Sequence, residues 1–360
     1  MYHACLLTNR QNGQQDHSLL PTLKQGNVEE QNSSNSIEVS FRERFQQQLQ
    51  SYKEQPRVHR IWIMTIFDSV ETIKSVQKIM RYFESQDNIN TDDVFCFDQK
   101  DIMLRMDTES GLSVYIQGVK MSAPKVFHCR IGSDVIEPDY HITVLRHLQL
   151  MGSRIVNNID AIMKTTNKAW HLQDLAAHGI PIATTLSYNY DELKYFQNVD
   201  NTLRYPIVMK MVRGNGGNMV FLIGTPTSHS EMTSVLNNNY PYIYQEYIKE
   251  SHGKDLRIIV IDHKPVFSMI RQSKTESFRA NLKQGGHGDV VTGKFPDAEE
   301  LAVKISKIIN IEVCGVDLLF SDKYGYICCE VNNNPGFSKS VYDDQNIEKY
   351  LGDMLIQYSA

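Results

Sequence analysis

The chain has 360 residues, of which 41% are hydrophobic and 22% are charged, and its formal net charge at pH 7 is −5. This composition excludes a disulfide-stabilised miniprotein and a wholly disordered chain, because it provides enough apolar material for two or three domains. The acidic balance argues against a general nucleic-acid binder, and no apolar run reaches the roughly 18 residues of a membrane span.

Residues 1–57 differ in composition from the rest of the chain. They are rich in Gln, Asn and Ser, and they contain few aliphatic residues. Such a segment cannot bury enough apolar surface to offset the entropy that ordering removes. We therefore expect a flexible tail over residues 1–57, in which residues 38–53 form at most a short polar helix.

The pattern becomes globular from residue 58 onward. Residues 60–66 are rich in β-branched and aromatic residues and predict a buried strand. Apolar residues at helical spacing predict a helix over residues 70–83. Further strands are predicted at 93–98, 101–106, 113–119 and 125–131. This order indicates a small α/β domain over residues 58–140.

Residues 141–360 predict a second, larger unit. We expect a helix over 141–151, and another that is capped by Thr165 or Thr166 and ends at His178. Strands are predicted at 205–211, 218–223, 241–248, 256–262, 265–271, 313–320 and 326–332. Further helices are predicted near 228–237, from Pro296, and over 343–358. The fold class that these elements indicate is α/β, or α+β.

A hairpin of two apolar strands encloses the turn 322–325 near the end of the chain. If the first and last residues of this turn pair, Asp317 lies opposite Glu330, and Asn332 lies on the same face as Glu330. Two like charges directly opposite each other are destabilising, and a divalent cation would turn their repulsion into attraction. Such oxygen donors suit Mg²⁺. A solvated carboxylate pair on an exposed sheet face is the alternative.

Basic residues and glycines form a second group of candidates. Lys210 ends a predicted strand and is followed by the turn Arg213-Gly-Asn-Gly-Gly-Asn218, whose N–H groups can bind phosphate oxygens. A plain hairpin turn is the commoner alternative. Lys168 begins a predicted helix, where a solvated lysine is the alternative. Arginines on the later strands suit phosphates or a carboxylate substrate, and scattered surface arginines are the alternative.

The ordered set of these motifs resembles the ATP-grasp ligases, and specifically the RimK-type glutamate ligases. The motifs are Lys210, the glycine turn, Gln245-Glu-Tyr-Ile248, Asp255, Arg271, Arg279-Ala-Asn281, Asp317, Glu330-Val-Asn332 and Pro335-Gly336. Arg130-Ile-Gly132 also resembles a motif of that family. The resemblance covers about residues 58–358. Within the family, segments 142–148 and 247–257 look similar to the animal N-acetylaspartylglutamate and β-citrylglutamate synthases.

The resemblance implies an ATP-grasp fold over residues 141–360, preceded by a pre-ATP-grasp domain over 58–140. It implies an ATP-dependent ligase that joins glutamate to N-acetylaspartate or citrate through an acylphosphate. The implied cofactors are ATP and two Mg²⁺ ions, for which Mn²⁺ can substitute. The glycine turn lacks the basic residues that the animal enzymes have in its second half, so substrate choice or nucleotide affinity could differ.

The resemblance also assigns roles to individual residues. The ATP-binding set is Lys168, Lys210, Gly214, Gly216, Gly217, Gln245, Glu246, Tyr247, Ile248, Asp255, Arg279 and Asn281. The catalytic set is Arg271, Arg279 and Asn281, with Arg271 on the reacting acid. The metal ligands are Asp317, Glu330 and Asn332.

Three other functions stay open from the sequence. One is a glutamate ligase that acts on a peptide or protein C-terminus, and another is a catalytically silent ATP-binding module. The third is an interaction protein that works through its Gln/Asn-rich tail. We expect small-molecule partners, no nucleic acid and no membrane, and leave a homo-oligomer open. The six cysteines form no CxxC pair, so we expect reduced core thiols in a cytoplasmic protein, with zinc binding as the minor alternative.

Overall fold

The computed structural model describes residues 28–132, 136–188, 203–214, 217–235, 241–282 and 285–360. The helices of these parts are α1 (Val28–Glu54), α2 (Val70–Glu84), α3 (Thr143–Leu150), α4 (Ile159–Thr166), α5 (Lys168–Ala177), α6 (Pro226–Val235), α7 (Pro296–Ile309) and α8 (Ile347–Tyr358). The strands are β1 (Ile61–Thr65), β2 (Val94–Asp98), β3 (Ile102–Asp107), β4 (Gly111–Ile116), β5 (Val119–Met121), β6 (Val126–Cys129), β7 (Arg154–Val156), β8 (Thr185–Tyr188), β9 (Ile207–Met211), β10 (Val220–Ile223), β11 (Tyr242–Glu246), β12 (Lys254–Ile261), β13 (Lys264–Gln272), β14 (His287–Val290), β15 (Val313–Ser321) and β16 (Gly325–Asn332).

The first sheet has the strand order β2-β1-β6-β7, and its neighbouring strands are parallel. Every residue of β1, β2 and β6 is buried, which is expected when helices cover both faces of a parallel sheet. Strand β7 completes this sheet beside β6. The domain boundary predicted at residue 140 therefore falls inside this unit.

Helix α1 contradicts the prediction of a flexible tail over residues 28–54. Gln48 Nε2 donates a hydrogen bond to Val94 O of β2 (3.0 Å). Four apolar residues at helical spacing are buried against the first sheet and α2: Phe41, Phe45, Leu49 and Tyr52. The prediction failed because an average over a Gln-rich segment conceals one apolar stripe that is enough to hold a helix on a core. Residues 1–27 lie outside the described part of the chain.

The remaining strands form three antiparallel sheets. A small sheet has the order β3-β4-β5, the second sheet has the order β10-β9-β11-β8, and the third sheet has the order β14-β13-β12-β15-β16. Alternate residues of β12 face two cores. Ile259 and Ile261 join the core of the first sheet, whereas Leu256, Ile258 and Val260 pack in the core that contains α7. The third sheet is therefore covered on both faces.

The C-terminal helix α8 packs on α2 of the first unit and on the third sheet. Its buried residues belong to the same core as the first sheet. The first and the last helix of the described chain therefore pack into one hydrophobic core. Among the helices that the structure describes, none combines the length and apolarity needed to cross a lipid bilayer.

Candidate active site

One cleft is lined by residues of both the second and the third sheet, and about 920 Å³ of space, part of it open to solvent, lies between its walls. Of the candidate residues within the described chain, the cleft brings together all but Asn332, which lines an adjoining cavity. Gly216 lies outside the described residues. The residues that sequence reasoning missed include Ala183, Val208, Lys254, Phe278, Leu319 and Cys329.

The hairpin β15–β16 places Asp317 opposite Glu330, as predicted. The predicted turn pairing was wrong, because Ser321 rather than Asp322 pairs with Gly325. A register shift after Asp317 restores the predicted alignment. A β-bulge of this kind adds one residue to one strand, and here it cancels the one-residue error at the turn.

A row of ion pairs crosses the third sheet beside this hairpin. Asp255 accepts two hydrogen bonds from Arg271 (2.7 and 2.6 Å), and Asp317 accepts two from Arg257 (2.7 Å each). Arg271 also lies 2.9 Å from Asp317 Oδ2. In both bidentate pairs the partners are cross-strand neighbours. Sequence reasoning named Arg257 only as one of the arginines on the later strands and gave it no role of its own, whereas the sheet places it opposite Asp317.

Asp317 stays ionised in this environment. Burial acts to raise the pKa of its carboxyl group, but the charges of Arg257 and Arg271 outweigh burial and hold the pKa at about 2. The alternative of a solvated carboxylate pair is excluded for Asp317, which is 4% exposed.

Two buried lysines approach the cleft from different elements. Lys168 begins α5, and its Nζ donates to Gly214 O (2.6 Å) and lies 3.2 Å from Glu330 Oε1. The N-cap of this helix is Asn167, so the predicted caps Thr165 and Thr166 are wrong. Both threonines belong to the end of α4, a helix that sequence reasoning missed.

Lys210 projects from β9, and its Nζ lies 3.5 Å from Cys329 Sγ. Lys210 has no carboxylate partner within the described chain, and it is 7% exposed. A nearly buried ammonium group with so weak a partner favours an anionic ligand in the cleft.

The glycine turn between β9 and β10 comes close to the segment that follows β13. Gly217 has φ +80°, and Arg279 Nη1 donates to its carbonyl oxygen (2.9 Å). A Cβ at Gly217 would lie 3.0 Å from Asn281 Oδ1. Only glycine combines this backbone conformation with so close an approach. The turn is therefore more specific than a plain hairpin connection.

The opposite end of the cleft is mainly apolar. Ile248, Ala183, Leu319 and Ile327 form one small apolar cluster, and the first three of these residues line the cleft. Glu246, at the end of β11, donates its N–H to Thr184 O (2.9 Å). A cleft with one apolar end and one highly charged end suits a ligand that has a flat apolar part and an anionic part.

The oxygen-bearing side chains at the charged end suit Mg²⁺ better than a metal ion that takes all of its ligands from the protein. In the described ranges, no group of three or more His, Cys, Asp and Glu side chains is arranged to hold a metal ion. Asp317 and Glu330 provide two carboxylates, and Asn332 Nδ2 lies 3.5 Å from Asp317 Oδ2. Mg²⁺ commonly takes one or two carboxylates and completes its shell with water and phosphate, so this donor set is sufficient.

Comparison with known proteins agrees with this geometry. The family profile of the RimK-like ATP-grasp domain matches residues 165–355, more than half of the chain. The chain belongs to the RimK-like ATP-grasp family. The matched range contains the candidate residues of the cleft, from Lys168 to Glu330, and also Asn332 of the adjoining cavity.

Two curated relatives of this RimK-like protein are synthases. β-Citrylglutamate synthase B of Mus musculus is 37% identical over 232 residues, which are 64% of this chain and 59% of the relative. N-acetylaspartylglutamate synthase A of Homo sapiens is 35% identical over 237 residues, which are 66% of this chain and 60% of the relative. The chain thus spans about three fifths of the length of these relatives.

A solved structure shows the same fold. The ATP-grasp ligase PsnB, complexed with a minimal precursor, Mg and ADP, has a TM-score of 0.59 and 17% sequence identity. The match covers 83% of this chain and 97% of PsnB. The predicted ATP-grasp fold is therefore confirmed.

Proposed function

We propose that this RimK-like protein is an ATP-dependent carboxylate–amine ligase that joins glutamate to a small di- or tricarboxylic acid. The observation that carries the proposal is that a glycine turn, two buried lysines, two facing carboxylates and a group of apolar residues line one and the same cleft. The names of the two synthases support glutamate as one substrate, and N-acetylaspartate or citrate as the other.

ATP would lie along the length of this cleft. Its adenine would bind at the apolar end, beside Gln245 and the segment 246–248, with Asp255 near the ribose. Its phosphates would lie against Lys168, Lys210, Arg279 and Asn281, under the glycine turn. A phosphate chain provides the negative charge that Lys210 and Arg279 lack among the described residues.

Asp317, Glu330 and Asn332 would hold Mg²⁺, as two ions or with Mn²⁺ in their place. The metal neutralises phosphate charge when it is bound. The pKa of about 2 keeps Asp317 anionic at neutral pH. Glu330 is less buried than Asp317 and has Lys168 as its partner, so it can exchange that partner for a ligand of the cleft.

The proposed reaction has two steps. An oxygen of the acid attacks the γ-phosphorus of ATP, the bond to the β–γ bridging oxygen breaks, and ADP leaves. The α-amine of glutamate then attacks the acyl carbon, phosphate leaves, and the amine proton passes to solvent. The protein supplies no covalent nucleophile, because its part is to orient the anions and offset their charge. Arg271 would bind the acid at the boundary between the cleft and the adjoining cavity.

The test is ADP release measured over a panel of acids, with Mg²⁺ and glutamate present and the mass of the product read in parallel. The panel contains N-acetylaspartate, citrate, other dicarboxylates and a peptide that ends in glutamate. ADP together with an amide product from a small acid supports the proposal. A product from the peptide alone supports the peptide ligase instead, and ATP binding without any product supports a silent module.

A pair of variants tests whether ADP release depends on the cleft rather than on another part of the protein. Glu330→Gln removes one charge of the metal site, and we expect ADP release to fall by at least about 100-fold. Glu250→Gln, at an exposed position after β11, is the control and should retain the activity of the wild type. Equal activity of Glu330→Gln and the wild type would show that Glu330 holds no metal.

We also place the reaction in the cytoplasm. Within the described part of the chain the cysteines are free thiols, and all of them but Cys329 are buried. Free thiols are typical of a reducing compartment.

A further inference from the structure

A second cavity adjoins the proposed ATP cleft, and about 1230 Å³ of space, part of it open to solvent, lies between its walls. Arg271, Asn281 and Glu330 line both spaces. The start of α2 and the loop after β16 form other walls of the cavity. A ligand in this cavity can therefore reach the end of the cleft where the proposed phosphates lie.

The cationic side chains of this cavity fall into two classes. Arg257 and Arg271 are already neutralised by the carboxylates of Asp317 and Asp255. Arg130 and Lys339 form no ion pair with any carboxylate of the described residues. Two positive charges that face the cavity are thus left without a counter-ion.

Arg130 is the more unusual of the two, because it is 2% exposed. Its guanidinium donates to Asn334 Oδ1 and to Pro335 O (2.7 Å), and it lies 4.7 Å from the centre of the Phe337 ring. Its Nε has no hydrogen-bond partner. These neutral contacts orient the guanidinium but leave its charge uncompensated.

A buried charge without a counter-ion is costly to a fold. Burial lowers the pKa of Arg130 only to about 9, so the group remains charged at neutral pH. Lys339 Nζ donates to Leu282 O (2.9 Å), which is again a neutral acceptor. An anion that enters the cavity would supply what both groups lack.

We propose that Arg130 and Lys339 bind the two carboxylates of a dicarboxylic ligand in this second cavity. The proposal deepens the proposed function, on which it rests for the identity of the ligand. Either glutamate or the acid to which it is joined has the required chemistry. Arg130 follows β6 of the first sheet, so the unit before the matched family domain would contribute directly to substrate choice.

The test compares each dicarboxylate with its monoamide. Wild type, Arg130→Met and Lys339→Met are titrated calorimetrically, with saturating Mg·ADP, against glutamate and glutamine and against N-acetylaspartate and N-acetylasparagine. Loss of a charge-assisted contact should reduce the preference for the dicarboxylate on the order of 10- to 100-fold. The affinity for ADP should change less than about twofold.

The two pairs of ligands distinguish the source of the dicarboxylate. If a variant loses the preference for glutamate over glutamine, the site binds glutamate. If it loses the preference for N-acetylaspartate over N-acetylasparagine, the site binds the acid to which glutamate is joined. A merely structural Arg130 would weaken both members of each pair equally, and that result overturns the proposal. Failure of the wild type to bind any dicarboxylate also overturns it.

Lys78→Met is the matched control. Lys78 contacts the same loop, donating to Phe337 O (3.2 Å), but it is paired with Asp343 and does not line the cavity. Its replacement should leave both preferences unchanged. If Arg130→Met does not fold, Lys339→Met carries the test, because Lys339 is only partly buried. Dicarboxylate binding that depends on Arg130 in a protein without ligase activity would refute the proposed function but support this site.

Discussion

Charged side chains of the third sheet neutralise one another in a fixed order. Arg271 lies between Asp255 and Asp317, and Asp317 lies between Arg271 and Arg257. Each carboxylate accepts a bidentate arginine, the geometry that gives strong and specific ion pairs. Removal of one member leaves the remaining buried charges without compensation. Stability and the proposed metal site therefore depend on the same residues.

Asp317→Asn should destabilise the protein by about 3–5 kcal/mol, the usual result of removing one partner from a buried ion pair. Arg257 and Arg271 would lose the negative charge with which Asp317 pairs. Asp322→Asn, at an exposed position in the turn of the same hairpin, should change stability by less than about 0.5 kcal/mol. Urea unfolding at pH 7 measures both. Equal midpoints for the two variants would contradict the structural role of Asp317.

Gly217→Ala should weaken ADP binding by about tenfold or more. The residue has φ +80°, and the added Cβ would lie 3.0 Å from Asn281 Oδ1, so the glycine turn and Asn281 must separate. Gly224→Ala is the control, since Gly224 follows the adjacent strand β10 and a Cβ there meets no atom within 4 Å. Calorimetric titration with Mg·ADP compares them. The prediction is refuted if both variants bind ADP as the wild type does.

At the scale of elements, the pattern of apolar residues along the sequence located the buried strands, such as β1 and β15. It missed β14, whose residues are largely exposed, and β7, which has three residues. For α1 it allowed only a short polar helix over residues 38–53 and missed the apolar stripe that packs on the core, because Gln dilutes that stripe. A strand without an apolar face is specified by its neighbours in the sheet rather than by its own residues.

The residues of the candidate site also fall into those that the sequence could identify and those that it could not. The charged residues could be selected from the sequence, because they occur in an ordered set of motifs and because charged groups within apolar strands are unusual. Apolar lining residues such as Val208 and Leu319 carry no such signal, since most apolar residues are simply buried. The role of Arg257 depends on the register of β12 against β15, and the register comes from tertiary pairing. The bulge after Asp317 also arises only when the two strands are assembled.

The contact between α2 and α8 gives an element-scale prediction. Gly352 lies inside α8, where alanine normally stabilises a helix by about 1 kcal/mol. Here a Cβ would lie 2.3 Å from Tyr82 Cδ1, so the ring must move. Gly352→Ala should therefore destabilise the protein, by about 1–3 kcal/mol. In a Tyr82→Leu background the same change should become neutral or stabilising. Thermal unfolding of the four proteins measures the coupling, and additive effects would exclude this contact as the cause.

At the scale of the whole molecule, one core connects the first sheet, α8 and one face of the third sheet. The proposed substrate cavity is walled by α2 from the first unit and by the loop after β16. This arrangement explains why family membership, which rests on residues 165–355, leaves substrate choice open. The first unit lies outside the matched range but contributes Arg130 to the cavity.

This shared core also makes the protein sensitive to acid. His59 is fully buried, its ring lies 5.5 Å from Tyr52 of α1 and 5.1 Å from Phe95, and neither ring nitrogen has a hydrogen-bond partner. Burial, assisted by the charge of Arg57, lowers the pKa of His59 to about 4. The unfolded chain takes up a proton here below its ordinary pKa of about 6.5, whereas the folded chain does not. Stability should therefore fall as the pH decreases from 6.5 to 4.

His59→Phe should reduce this loss, because phenylalanine keeps the aromatic contacts and has no proton to bind. We expect the variant to gain about 1–2 kcal/mol relative to the wild type on going from pH 7 to pH 5. Thermal unfolding at constant ionic strength over this range measures the difference. The exposed His287 provides the control, since His287→Phe removes no buried imidazole. Parallel pH profiles of His59→Phe and the wild type would show that His59 is protonated in the folded protein, and that α1 does not seal this part of the core.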